Sequence, residues 1–221
     1  MLPYLLLALA FCSLLGLFLY YSYCIEPYRF RVLRRTLHSR ACPADVIRVL
    51  HITDSHFKLG DEEKLAFAKS LGRYEVDFAF LTGDLIEDAS GVRYCADMVR
   101  SLRPRYGTFV ALGGHDYFEV TCFEVMLDAL TRGGRHRSMP NPTEELVRQL
   151  TDAGARVLVN EATTVDVRGH QVAIVGLDDP FFGCPEIEKA WRNVPESAFT
   201  MVLVHCPDVV DEIAARGADV A

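Results

Sequence analysis

The chain has 221 residues, half of them apolar and about a quarter charged, with a formal net charge of −7. That length allows one domain of ordinary size plus a membrane segment, and the acidic balance argues against nucleic acid as a partner, because phosphate-backbone binding needs a basic face. Seven cysteines (Cys12, Cys24, Cys42, Cys95, Cys122, Cys184 and Cys206), an odd number with no C-x-x-C pair, argue against a disulfide framework. They read as reduced, mostly buried thiols in a reducing compartment.

Charge is spread unevenly. Residues 1–25 contain no Asp, Glu, Lys, Arg or His, and Leu, Phe, Ala and Tyr dominate. Such a run suffices to cross about 30 Å of hydrocarbon as a helix. Tyr20, Tyr21, Tyr23, Tyr28 and Phe30 cluster at its end as an interfacial aromatic belt would. Residues 26–40 then carry Arg29, Arg31, Arg34, Arg35 and Arg40 against Glu26, a local +4 that leaves −11 for the remainder. A cleaved signal peptide would carry its basic residues before the apolar core. With the arginines after it, the segment reads as a single-pass anchor with the adjoining domain on the cytoplasmic side. The expected organisation is an anchor over 1–25, a basic juxtamembrane linker over 26–44 and one domain over 45–221.

Within that domain, apolar runs at 46–53, 76–81 and 108–112 predict strands, and helical spacing at 62–71, 92–102 and 123–130 predicts the helices between them. A Gly- and Pro-containing stretch over 133–142 reads as a surface loop, and 143–153 as a further helix. Three short runs, 156–159, 163–167 and 171–175, have the spacing of a meander, that is, a second sheet or an antiparallel extension. A helix near 185–191, a strand at 200–204, a helix at 207–215 and the opening of a strand at 219–221 complete the pattern. Alternating strands and helices predict an α/β domain with a largely parallel sheet.

The residues just past each strand carry the chemistry. Asp54-Ser55-His56 comes after the first, Thr82-Gly83-Asp84 after the second, Gly113-Gly114-His115-Asp116 after the third, and His205 after the strand at 200–204. In open α/β sheets, ligands bind outside the carboxyl ends of the strands, where residues distant in sequence converge. Asp54 and His56, two apart on extended backbone, would face the same side. Gly83 and Gly113 remove side chains where the backbone turns sharply or an ion approaches. Imidazoles mixed with carboxylates suit Zn, Fe, Mn or Ni, rather than the all-oxygen sets of Mg or Ca. No G-x-S-x-G nucleophile elbow is present.

This order of motifs resembles the calcineurin-like metallophosphoesterases, whose pattern runs D-x-H, G-D, G-N-H-[DE], H, then G-H-x-H. Residues 155–161, 175–183 and 205–208 look most like the membrane-associated branch that includes enzymes similar to UDP-2,3-diacylglucosamine pyrophosphatase. The resemblance implies a four-layer α/β/β/α sandwich with two divalent ions, manganese first and iron or zinc next. Asp54 and His56 would hold one ion, Asp84 would bridge, and His205 would hold the other. His115, backed by Asp116, would lie beside the substrate phosphate as a charge stabiliser or general acid. It further implies hydrolysis of a phosphoester or pyrophosphate bond, of a lipid-linked substrate if the anchor sets the location. Two positions depart from the pattern. Gly114 stands where the family has a metal-binding Asn, and the sequence ends at Ala221, before a G-H-x-H motif. The expectation is therefore a chain truncated before the last strands, with a weakened second metal site. The alternative is a non-catalytic relative that binds a partner or a phospholipid.

Overall fold

The computed structural model describes residues 1–119, 139–181 and 183–221. The helix expected at 123–130, and most of the loop expected over 133–142, lie outside the described residues.

Helix α1 (Leu2–Tyr20) continues through two further turns to Tyr28. Pro3–Tyr28, with a mean hydropathy of 2.1 and none of its described residues buried, is long and apolar enough to cross a membrane. The linker after it lies against the domain. The Phe30 ring stacks on Phe67 with centroids 5.1 Å apart, and Cys42 and Ile47 pack on the apolar core.

The first sheet joins β1 (Val49–Ile52), β2 (Phe78–Thr82), β3 (Gly107–Ala111) and β6 (Ala155–Val157), in that order and all parallel. Every residue of β2 is buried, as expected of a central strand covered on both faces. The crossovers are α2 (Glu62–Ser70), α3 (Val92–Ser101) and α5 (Thr143–Asp152). On α3, Val92, Cys95, Ala96 and Val99 recur at helical spacing and are buried. With Leu146 and Leu150 of α5, the side chains of Val92, Cys95 and Val99 pack on Ala79, Leu81 and Val110 of the sheet. A short helix α4 (Gly114–Tyr117) and a two-stranded ribbon, β4 (Phe118–Glu119) with β5 (Met139–Pro140), lie between β3 and α5.

The second sheet has the order β7 (Glu161–Val167), β8 (His170–Gly176), β9 (Phe199–Leu203). β7 and β8 form an antiparallel hairpin closed by Arg168 and Gly169, both at positive φ, the conformation a tight two-residue hairpin turn requires. β9 runs parallel to β8. One face of this sheet meets the first: Phe78, Phe80 and Phe109 pack with Val172, Ile174, Phe199 and Met201. The other face carries α6 (Ile187–Trp191) and α7 (Val210–Ala215), through Ile187, Ala190 and Ile213 on Val175, Leu177 and Val202.

The structure corrects two expectations. The three runs at 156–159, 163–167 and 171–175 are not one meander. The first enters the parallel sheet beside β3, because α5 provides a crossover long enough for a parallel return. The strand at 200–204, expected to share an edge with the other three motif-bearing strands, belongs to the second sheet.

The sheets meet closely where β8 ends. A Cβ on Gly176 would collide with the Cβ and carbonyl of Leu158, the residue whose amide bonds Val110 at 2.8 Å. Gly176→Ala is expected to cost about 1–3 kcal/mol through overpacking, read as a lower urea midpoint at unchanged slope. An unshifted midpoint would show that the sheets do not touch there.

Candidate metal centre

The loops leaving β1 and β2 run side by side beyond the sheet. Asp54 N donates to Gly83 O (3.1 Å), His56 N to Asp84 O (2.9 Å) and Phe57 N to Leu85 O (2.9 Å). Within this double strand, Asp54 (φ 52°), His56 (φ 39°) and Asp84 (φ 52°) adopt left-handed backbone. Such conformations cost on the order of 1–3 kcal/mol each and survive only where surrounding bonds over-determine them. They also correct the expectation that Asp54 and His56 share a face along extended backbone, since neither is extended. Among the described residues, three of the five non-glycine positions at positive φ are candidate ligands.

Two groups of donor atoms result, each lying within 4.8 Å of one another: His56, Asp84 and His115, and Asp54, Asp84 and His205. Asp84 belongs to both. Its Oδ2 lies 3.7 Å from His56 Nε2 and 3.3 Å from His205 Nε2. Its Oδ1 accepts the His115 amide at 2.9 Å. His205 reaches across from the second sheet because Gly83 leaves room for it. A Cβ at residue 83 would sit 2.5 Å from His205 Cγ. Likewise, a Cβ on Gly113 would strike Asp84 Oδ1 and its amide nitrogen.

Burial opposes ionisation of Asp84, yet the His205 ring and the His115 amide together hold its pKa below the ordinary value. The Asp84 carboxylate in turn raises His205 to about 9, against burial, with help from the Thr82 carbonyl (3.0 Å from Nδ1) and the Asp54 charge. The site thus favours positive charge. In the metal-free chain a proton on His205 supplies it, and a cation would replace that proton.

Asp116, expected to back His115, is fully buried, and its carboxylate is committed elsewhere. Oδ1 accepts the Leu85 (2.8 Å) and Ile86 (3.2 Å) amides, and Oδ2 the Gly113 amide (2.9 Å). Burial pushes its pKa up to about 7 despite those three donors. It ties the β2 and β3 loops together.

Among the described residues the carboxylate nearest an imidazole nitrogen is that of Glu87, which sequence reasoning missed. Its Oε2 lies 2.9 Å from His56 Nδ1 and 3.8 Å from His115 Nδ1. A carboxylate that only accepts puts the proton on His56 Nδ1 and leaves Nε2 to bind an ion. Lys64 was missed as well. Its ammonium donates to the Ser55 carbonyl (3.0 Å), the His56 carbonyl (3.1 Å) and Asp61 (2.7 Å), and so clamps the ligand loop from behind. Asn141 donates to the His115 (2.7 Å) and Glu87 (3.3 Å) carbonyls. Glu87, three residues beyond Asp84 in an acidic turn, had a local signal. Lys64 and Asn141 act on backbone carbonyls, which leave no pattern in sequence.

The donor set fits divalent cations. Three imidazoles and two carboxylates converge, a mixture suited to borderline metals, and the buried Nδ1 of His115 has no hydrogen-bond partner among the described residues.

Comparison with known proteins agrees with that chemistry. No family model matches the chain. It is 24% identical over 170 residues to the uncharacterized metallophosphoesterase YkoQ of Bacillus subtilis, covering 74% of this chain and 54% of that protein. It is 22% identical over 198 residues to the uncharacterized metallophosphoesterase YkuE of the same organism, covering 85% and 61%. To an uncharacterized metallophosphoesterase of Aquifex aeolicus it is 24% identical over 198 residues, covering 85% and 66%. The chain therefore spans between about half and two thirds of the length of these curated relatives. The likeness is at low identity, to proteins named metallophosphoesterases.

Because Gly83 makes room for His205, Gly83→Ala is expected to push that ring out of the cluster. Calorimetric titration with Mn²⁺ should show affinity reduced about tenfold or more, the scale on which disturbed metal surroundings act. Unchanged affinity would separate His205 from metal binding.

Proposed function

We propose that this chain is a membrane-anchored, metal-dependent phosphohydrolase of the calcineurin-like kind, with the four-layer α/β/β/α arrangement of that family. In this reading it cleaves a phosphoester or pyrophosphate bond of a lipid-linked substrate. The observation that supports it most is the sharing of Asp84 between two three-donor groups, as a bridging carboxylate in a two-ion site requires. Asp54, His56 and His205 complete the proposed ligand set. When bound, two divalent ions, manganese first, would lower the pKa of the attacking water and neutralise charge on the phosphoryl oxygens.

The protein's own residues prepare that site. Glu87 fixes the His56 tautomer, Lys64 and Asp116 hold the three loops in register, and the left-handed backbone aims Asp54 and Asp84 inward. The apolar segment 1–25 would anchor the chain, with the five arginines on the cytoplasmic side, each adding about 1 kcal/mol against anionic head groups. An anchored site works among lipid head groups, which favours a substrate of the kind handled by the UDP-2,3-diacylglucosamine pyrophosphatase-like branch. A second reading, a non-catalytic phospholipid- or partner-binding domain, draws on Gly114, which offers no side-chain oxygen.

Full-length protein in detergent with added Mn²⁺ should hydrolyse an aryl phosphodiester. Asp84→Ala is expected to lower kcat on the order of 10³-fold, the several kcal/mol that ion-centred charge stabilisation supplies. Asp54→Asn removes a charge at an exposed position. It should leave the metal-free melting temperature nearly unchanged while weakening Mn²⁺ binding. Full activity in Asp84→Ala would sink the enzyme assignment, and a wild-type chain with neither metal nor activity would favour the binding domain. For the anchor, the chain should stay in the membrane pellet through alkaline carbonate extraction, whereas release into the supernatant would refute a spanning helix.

A further inference from the structure

His205 is not alone in reaching from the second sheet to the loops of the first. Asp178, which follows β8, does the same: its Oδ1 accepts the Tyr117 hydroxyl at 2.5 Å. Tyr117 ends α4, two residues past His115. We infer that Tyr117 and Asp178 are positioning residues, whose hydrogen bond sets His115 on the first sheet against His205 on the second. The inference rests on the phosphohydrolase reading proposed above, with His115 beside the substrate phosphate as the resemblance implies, and adds two residues to it.

Three observations carry it. First, Asp178 is held as a fixed acceptor. It is buried, and its own loop folds around the carboxylate: Oδ1 also accepts the Asp179 amide (3.0 Å), and Oδ2 accepts the Cys184 amide (3.3 Å). A Cβ on Gly183 would lie 2.3 Å from Asp178 Cγ, so only glycine lets the chain close there. Asn160 fastens the base of the loop. Its Oδ1 accepts the Asp178 (3.1 Å) and Glu186 (3.0 Å) amides, and its Nδ2 donates to the Cys184 carbonyl (2.6 Å). A carboxylate so enclosed is costly unless its oxygens are paired, and Tyr117 pairs one of them from the other sheet.

Second, the backbone of α4 is bonded to the first sheet's own loops. Asn141 donates its side-chain amide to the His115 carbonyl (2.7 Å) and its backbone amide to the Tyr117 carbonyl (2.8 Å), and the Thr143 hydroxyl donates to the Asp116 carbonyl (2.8 Å). The His115 amide donates to Asp84 Oδ1 (2.9 Å). None of these four bonds fixes the turn relative to the second sheet, whereas the Tyr117 hydroxyl does. Burial and the Asp178 carboxylate push the pKa of that hydroxyl well up, so it stays a donor.

Third, the two crossings are neighbours at both ends. β8 and β9 are adjacent and parallel, with Leu177 N donating to Leu203 O at 3.0 Å, so Asp178 and His205 leave the second sheet side by side. β2 and β3 are likewise adjacent and parallel, with Thr82 opposite Ala111. His205 crosses to the loop after β2, its Nδ1 donating to the Thr82 carbonyl (3.0 Å) and its Nε2 facing Asp84 Oδ2 (3.3 Å). Asp178 crosses to the loop after β3. Without this second crossing, α4 is free to shift relative to His205. A displacement of about 1 Å at a reacting group costs on the order of 10²-fold in rate.

The test is a double-mutant cycle between Tyr117→Phe and His115→Ala in the full-length chain in detergent, with Mn²⁺ and an aryl phosphodiester. Tyr117→Phe removes only the hydroxyl and should lower kcat about tenfold, with Mn²⁺ affinity by calorimetry unchanged. In the His115→Ala background the same change should lower the residual kcat by less than about twofold, because residues that act as a unit are not additive. If Tyr117→Phe alone melts far below wild type, adding Asp178→Asn neutralises the charge left unpaired, and the cycle is run on that pair. Wild-type kcat in the Tyr117 variant, or an equal fractional loss with and without His115, would overturn this inference and leave the phosphohydrolase reading intact. A wild-type chain that hydrolyses nothing would overturn both.

Discussion

Around the Asp84 carboxylate, two sheets, three loops and three imidazoles are drawn to one point. The group is only 8% exposed, and it stays ionised because each oxygen is answered: Oδ1 by the His115 amide, Oδ2 by the ring of His205. A carboxylate in so little water is costly unless compensated. The compensation fixes where the neighbouring loops must lie. Gly83 and Gly113 give up their side chains so that the His205 ring and Asp84 can approach, and the residues around them take up left-handed backbone that isolated peptides avoid. Strain and close approach are concentrated here, where an ion-binding function would use them.

Asp116 and Lys64 show how that strain is sustained. The buried Asp116 carboxylate collects three amides from two loops, and the Lys64 ammonium collects two carbonyls from the third. Neither touches the space between the imidazoles, yet without them the loops carrying Asp54, His56 and Asp84 would lack their cross-ties. Lys64 also lies one turn from Phe67 on α2, and residues three apart are neighbours on a helix surface. Phe67 receives the Phe30 ring of the linker. One helix therefore touches both the segment leading from the apolar N-terminal helix and the loop that bears two candidate ligands.

Much of this was legible in the residues themselves. The alternation of apolar runs with helical spacing marked the α/β domain, because strand and helix periods depend only on local geometry. The run over residues 1–25 was equally plain, since length and the lack of charge are sequence properties. Asp54, His56, Asp84, His115 and His205 could be singled out because each comes just after an apolar strand, and open sheets gather ligands at those ends. Glu87 was passed over although it sits in the same turn as Asp84. Its part depends on His56 bending back toward it, which requires the positive φ at residue 56.

Sequence by itself determined the chemistry available, namely mixed imidazole and carboxylate donors at strand ends on a chain with one long apolar helix. Tertiary structure alone decided how those donors are divided. It assigned β6 to the parallel sheet and β9 to the second, committed Asp116 to backbone amides, and grouped His115 with His56 and Asp84. The reason is physical. Which residues can carry charge or bind an ion depends on side-chain type, but which atoms meet depends on sheet pairing and backbone dihedrals, and those are set by packing between distant segments, 123 residues apart for His205 and Thr82.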